Sequence, residues 1–565
     1  MPLLREKLNI LKKNIDKMAN IKFPRKQFEK DFGKLDDKMQ NKIAMMGSPL
    51  EGFDDNEMEL EIFPNRPDLL SYQGFKRSFM SFFGKKKGLT KYKINKFSKD
   101  YVVNVDKSVH DVRPFTACAI VKGLKFDDDK IKELIDIQEK LHTTIGRKRK
   151  KLAIGIYPLE KIKLPISYKA LEPDKIKFIP LEMTREMNGL EILQRHPAGR
   201  DYAHLLSGKK KFPIFMDADK NILSMPPIIN SQLTGKVEKT TKDIFIECSG
   251  FDFEILNKCL NILITALAEM GGEIYQMKVN GKGNVITPNL SPEKMKISLE
   301  NTNKLLGLNL NEKELKLYLE KMGHDYNNKA VEIGAWRTDI LHEVDLIEEV
   351  AIGYGYENFK PEIPKISTIG QEDKKETIKK KIAEILCGLN LLEISNYHLT
   401  KKKDQFTKMG VLEKQEEGFI EVEESKTEYT ILRKDLTHYL LKIFSENVDA
   451  EYPQKIFELG RVFNLEGDKI IESEKLSLGF TPGNFTEVKQ SLEYLFRMLD
   501  LKIEIKETDK FPNYFVNGRV AGVFLEEKCI GHIGEIHPKI LRNWKIKMPV
   551  ALFEIGLDDI FEKFS

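Results

Sequence analysis

The sequence predicts a multidomain α+β protein, and three observations carry that prediction. At 565 residues the chain is too long for a single core, and the length prior points to about three to five domains. Stretches with helical periodicity and stretches with strand alternation are both present along the chain. Lysine-rich and proline-bearing polar stretches, 84–99 and 361–373, separate them as linkers. Four segments are expected: 1–95, 96–288, 289–362 and 374–565.

The first segment opens with helical patterning and reaches ELEIFPNRPDLLS at 59–71. Leu60 and Ile62 alternate as in a strand, Pro64 ends it, and 65–67 form a turn. Asp68 or Ser71 then caps a helix. A buried Arg66–Asp68 pair holding this turn is a better account of the two charges than catalysis.

The second segment mixes strand and helix. GRKRKK at 146–151 is a basic run beside a strand-like LAIGI at 152–156. A solvated loop is the commoner origin of such a run; contact with phosphates would make binding fall steeply with salt. FPIFMD at 212–217 reads as a strand, 217–221 as a turn, and LSMPPIIN at 223–230 as a stiff wall. Two successive prolines exclude a helix interior or central strand there. IFIECSG at 244–250 reads as a strand that points Glu247 and Ser249 to one face. A carboxylate and a hydroxyl on one face can recognise a substrate hydroxyl, although a half-buried sheet often carries a polar face of this kind.

The third segment begins with two short helices at 291–325. Asn311 and Glu314 form a capping box, Leu315, Leu319 and Met322 form an apolar stripe, and Gly323 ends the second helix. The pair resembles a helix-turn-helix, which alone implies no nucleic-acid binding. The segment closes on WRTDILHEVDLIEEVAIGYGY at 336–356. Asp345, Glu348 and Glu349 stand at i, i+3 and i+4, with Asp339 on an extended lead-in, while Val344, Ile347 and Ala351 supply a packing stripe. Oxygen-only ligands suit Mg²⁺, yet charge runs are more often solvated faces. In the last segment Ile378, Ile382 and Ile385 mark an amphipathic helix, and 456–462 reads as a core strand running into a turn.

Composition bounds the function classes. Ninety-two basic residues nearly balance 87 acidic ones, so net charge (+5) does not declare a nucleic-acid binder. The five cysteines, Cys118, Cys248, Cys259, Cys387 and Cys529, have no zinc-like or redox spacing. With no secretory segment and no apolar run of membrane length, a soluble cytoplasmic protein is expected. No Walker GxxxxGKS and no GxGxxR string is present, and GHIGE at 531–535 lacks the arginine.

These strings together resemble the beta subunit of phenylalanyl-tRNA synthetase, archaeal/eukaryotic type. The carriers are RxD…DLIEEVAxxYGY, NRPDxLS, LSMPPIIN, the HPAGRDYAHLL run at 196–206, and YTILR, FELG and GEIHP at 429–433, 457–460 and 534–538. They match in order and spacing over nearly the whole chain. The bacterial form's N-terminal tRNA-binding barrel and C-terminal anticodon-binding domain have no counterpart.

The resemblance implies an editing domain of mixed sheet and helices at 96–288 and the small helix-turn-helix-like domain at 289–362. It implies a non-catalytic, class II synthetase-like antiparallel sheet with helices at 374–565, where Arg433 and Glu458 are fold or interface residues rather than catalysts. It implies an alpha subunit as partner, in a tetramer of two alpha and two beta chains that uses ATP to join phenylalanine to its tRNA, with no membrane. Mg²⁺ would be shared with alpha at Asp339, Asp345, Glu348 and Glu349. An editing pocket that hydrolyses tyrosyl-tRNA maps onto Phe215, Ser224, Glu247 and Ser249. Phe215, Glu247 and Ser249 depart from the expected leucine, aspartate and threonine, and Pro158 stands where an aspartate is expected. A scaffold that has lost editing is the rival reading, and a freestanding editing hydrolase is a third.

Overall fold

The chain is described from a computed structural model, which covers residues 20–564 apart from 282, 365, 412–417 and 424. The opening helical pattern therefore lies partly outside the described residues. Two compact units emerge, divided between Glu362 and Ile363.

In the first unit, the strand Glu57–Glu61 pairs antiparallel with Asn20–Pro24 and Leu50–Phe53. Leu60 and Met58 point into a core shared with Phe28, Phe32, Phe75 and Phe79. Ser71 caps the helix Tyr72–Phe82 by accepting from the Gly74 amide. The Arg66 guanidinium meets Asp68 in a buried two-point pair, 2.9 Å on each side, as the turn required.

Two sheets stack in the middle of this unit. A five-stranded sheet runs in the order Ile94–Asn95, Glu273–Tyr275, Phe115–Lys122, Ile244–Gly250, Leu152–Pro158. Its neighbour has seven strands, ordered Ile229–Asn230, Ile222–Met225, Phe212–Met216, Ile166–Leu171, Val102–Val105, Met277–Asn280, Val285–Thr287. Strand alternation decides what each face meets. Ile244, Ile246 and Cys248 pack on the helices Asp128–Thr143 and Phe253–Glu269. Phe245, with Tyr157 from the neighbouring strand, packs on Tyr168 and Phe215 of the seven-stranded sheet. Glu247 and Ser249, on the same side as Phe245, are thereby buried on the inner face of the stack, at 1% and 0% exposure.

The helices Leu299–Leu306 and Glu312–Lys321 follow, the second with the expected Asn311–Glu314 capping box. Leu315, Leu319 and Met322 are buried. The acidic helix spans Glu343–Tyr354 and buries Leu346, Ile347, Glu349, Val350 and Ala351. The expected stripe is corrected here: Val344 is 49% exposed, because the buried face has turned to admit Glu349. Asp339 sits in a bend, not on an extended lead-in.

The second unit is built on a seven-stranded sheet ordered Leu392–Glu393, Gln454–Glu466, Lys469–Thr481, Ala551–Gly556, Lys528–Ile536, Phe515–Leu525, Ile503–Lys506. All its pairs are antiparallel except the first, which is parallel. The helices Lys374–Gly388 and Phe485–Met498 share a core with the sheet through Ile382, Leu386, Leu492 and Phe496. The strand read at 456–462 extends to Glu466 by pairing with Lys469–Thr481, and the turn follows at 467–468. No helix among the described residues is long and apolar enough to cross a membrane.

Candidate functional site

Strand register assembles a polar cluster inside the two-sheet stack. Glu247 lies opposite Gly155 on one neighbouring strand and Cys118 on the other. Phe215 lies opposite Ser224 in the facing sheet. Gly155 is required by what surrounds it: a Cβ there would collide with the Tyr157 hydroxyl and stand 2.6 Å from Glu247 Oε1. The Tyr157 hydroxyl fills that space, donating to Ser224 Oγ at 2.7 Å and lying 3.3 Å from Glu247 Oε1.

The second carboxyl oxygen, Glu247 Oε2, is buried and has no hydrogen-bond partner among the described residues. Burial pushes the Glu247 carboxyl up to about 8, against the pull of the Arg113 guanidinium. It is therefore largely neutral at pH 7. Arg113 is itself buried, donates to Ser249 Oγ (3.3 Å) and to the Ser249 carbonyl (2.7 Å), and is lowered by desolvation. Tyr168 donates to the Arg113 carbonyl at 2.8 Å and stacks on Phe215, ring centroids 4.3 Å apart.

A cavity of about 810 Å³ opens against this cluster, lined by Ser224, Glu247, His142, Arg149, His196 and the Pro226–Pro227 wall, among others. Of the four sequence-predicted pocket residues, Ser224 and Glu247 line it; Phe215 and Ser249 stand behind, between the sheets. Pro158 ends its strand opposite Ile244 and lies outside the lining. Tyr157, Arg113, His142 and Arg149 were not anticipated. For Tyr157 a signal existed, because it shares strand parity with Gly155. For the others the contacts are too distant in sequence.

Both cavity histidines are fully engaged. His142 Nε2 accepts from the Ile154 amide at 2.8 Å, which places its proton on Nδ1, 3.1 Å from Glu139. Burial lowers the His142 pKa and favours this neutral form. His196 Nδ1 accepts from the Ala198 amide, and its Nε2 lies 3.1 Å from the Leu181 carbonyl.

The four acidic residues at 339–349 are arranged differently from a ring around one point. Arg337, 3% exposed, holds Asp339 with Nε (2.8 Å) and Nη2 (2.7 Å) and Glu349 with Nη1 (3.0 Å) and Nη2 (2.9 Å). Burial alone would raise Glu349, but Arg337 and a 3.0 Å contact with His324 hold it well below the usual carboxylate range. Asp345 accepts from the Leu341 and His342 amides, both 2.7 Å, at the start of its helix. Glu348 is exposed. The arrangement thus brings Asp339 and Glu349 together on one guanidinium and leaves Asp345 and Glu348 outside it. No three acidic, histidine or cysteine side chains converge on a metal-sized point among the described residues.

In the second unit Arg433 and Glu458 form a fully buried 2.6 Å pair, with Asn396 donating to the other Glu458 oxygen at 2.8 Å. Every one of these contacts is internal to the fold.

Comparison with known proteins agrees with this architecture. The tRNA synthetase B5 domain family matches residues 295–356, and the phenylalanyl tRNA synthetase beta chain CLM domain family matches 360–557. The phenylalanine–tRNA ligase beta subunit of Pyrococcus furiosus is 40% identical over 509 residues, covering 88% of this chain and 90% of that one. That of Archaeoglobus fulgidus is 37% identical over 542 residues, covering 95% and 97%. A crystal structure of an N-terminal fragment of the phenylalanyl-tRNA synthetase beta subunit from Pyrococcus horikoshii superposes with a TM-score of 0.57 at 37% identity. It covers 59% of this chain and 99% of the fragment. The chain belongs to the phenylalanine–tRNA ligase beta subunit family.

Proposed function

We propose that this chain works as the beta subunit of a phenylalanine–tRNA ligase and hydrolyses tyrosine wrongly esterified to phenylalanine tRNA. The alpha subunit is its partner, tRNA is the shared substrate, and the assembled enzyme uses ATP. Two alpha and two beta chains form the complex, in the cytoplasm.

The observation that carries the editing reading is the unpartnered Glu247 Oε2 on a carboxyl at the cavity wall. A tyrosine side chain entering the cavity satisfies that oxygen with its hydroxyl. A phenylalanine side chain leaves it unpaired in a dry site, a penalty that selects for the hydroxyl. Because burial keeps Glu247 neutral near pH 7, recognition needs no buried charge. Ser224 accepts from Tyr157 and keeps its own proton for a cavity partner. Phe215 and Ser249 act behind these two, by stacking on Tyr168 and by holding Arg113.

Water is the nucleophile. His142 and His196 have both ring nitrogens engaged, so neither is available to activate Ser224. Water adds to the ester carbonyl carbon, the bond to the ribose oxygen breaks, and that oxygen takes the proton. Deacylation of tyrosyl-tRNA by the assembled enzyme tests this reading; its absence would favour a scaffold that has lost editing. One observation favours that rival, namely that the Tyr157 phenol already occupies Ser224.

The donor set Asp339, Asp345, Glu348 and Glu349 fits a hard divalent cation in chemistry. Its present geometry encloses none, because Arg337 neutralises two of the four. A Mg²⁺ shared with alpha would complete itself from the partner's side, with Asp345 and Glu348 as the accessible donors. Bound there, it would supply charge neutralisation between subunits.

A further inference from the structure

The loop 146–151 is tied down and strained at once. Its amides return to the preceding helix, Gly146 N to the Leu141 carbonyl (2.8 Å) and Arg149 N to the His142 carbonyl (3.0 Å). Gly146 has no room for a side chain, since a Cβ would lie 2.5 Å from the His142 carbonyl oxygen. Arg147, Lys148 and Arg149 then follow at φ of 46°, 53° and 63°, three successive side-chain-bearing residues in the left-handed region. Single such residues are uncommon, and strain of this kind persists where a particular shape is needed.

The shape divides the charges. Arg149 turns inward and lines the cavity, donating to the Ile228 carbonyl (2.9 Å) and to Glu139 (2.8 Å), with its guanidinium 4.6 Å over the Tyr202 ring. Arg147, Lys148, Lys150 and Lys151 are exposed, and none has an acidic partner among the described residues. Four uncompensated cations therefore stand beside a cavity that has room for one nucleoside ester and none for a duplex. A merely solvated loop needs neither the left-handed run nor the anchoring arginine.

We propose that this loop is a preformed grip for the phosphate backbone of the unpaired RNA end whose terminal ester enters the cavity. Arg147 and Lys148 engage the phosphates preceding the last nucleotide, while Arg149 fixes the loop to the Pro226–Ile228 wall. The proposal rests on the editing reading above.

The test compares two substrates in the alpha–beta complex across a salt series: tyrosyl-tRNA, and tyrosyl-adenosine, which carries no phosphate. In the Arg147→Glu, Lys148→Glu double variant the ratio of kcat/KM for tyrosyl-tRNA to that for tyrosyl-adenosine falls at least about tenfold, and the salt dependence of tyrosyl-tRNA hydrolysis becomes shallower by about 1.4 in log–log slope. The Arg147→Gly, Lys148→Gly double variant, which suits positive φ and so keeps the loop shape, lowers the ratio in the same direction. An unchanged ratio and slope in both variants, with wild type hydrolysing tyrosyl-tRNA, would overturn the grip alone. A wild-type complex that hydrolyses neither substrate would overturn the editing reading and the grip together.

Discussion

Glu247 concentrates the consequences at the scale of one residue. Replacing it with alanine is expected to lower tyrosyl-tRNA deacylation on the order of a hundredfold while leaving phenylalanine attachment intact, both read by charging assays. Its proton also links to stability. Folded Glu247 keeps the proton to about pH 8, whereas an unfolded chain releases it near the ordinary 4.5. The folded state thus binds the extra proton between those values, and stability falls as pH rises through that window. Thermal melts of Glu247→Gln should lose part of the wild-type decline between roughly pH 5 and 8; parallel declines would place the proton elsewhere. Glu247 and Ser224 were legible as residues because each sits in a string with fixed neighbours. Tyr157 was legible only through its strand parity with Gly155, and Arg113 not at all, since they meet Glu247 and Ser249 through pairings 90 and 136 positions apart.

Among elements, the acidic helix shows how spacing reveals a face without saying what the face meets. The i, i+3, i+4 pattern placed Asp345, Glu348 and Glu349 on one helix, but only the fold shows that Glu349 turns inward to Arg337. Arg337→Ala would strand Asp339 and Glu349 without their cation and is expected to cost about 3–5 kcal/mol, measured by urea unfolding. Asp345→Ala removes only capping hydrogen bonds, expected to cost about 1 kcal/mol. It should weaken assembly with alpha more than the isolated fold, which size-exclusion titration at fixed Mg²⁺ would read; undiminished assembly would remove Asp345 from the interface. The long strand Gln454–Glu466 teaches the converse. Its sequence signal reads as strand only over 456–462, yet thirteen cross-strand partners hold it extended to Glu466.

At the scale of the molecule, the sequence revealed the mixed α+β class, because helical and strand periodicities survive without knowledge of contacts. The stacking of two sheets in the first unit was not legible, since it depends on which strand face pairs with which core. The subunit reading makes a whole-molecule prediction: this chain alone attaches no phenylalanine to tRNA, and activity appears only when alpha is added. Activity from alpha alone, with no complex formed, would contradict it. The strand Ile244–Gly250 serves both cores of that stack, alternately offering Ile244, Ile246 and Cys248 to the helices and Phe245, Glu247 and Ser249 to the space between the sheets. Losing one codon within it would exchange the two sets, driving Glu247 into oil and Ile246 into the pocket. This stretch of the gene is therefore closed to change in length, since a single lost codon reverses every face at once.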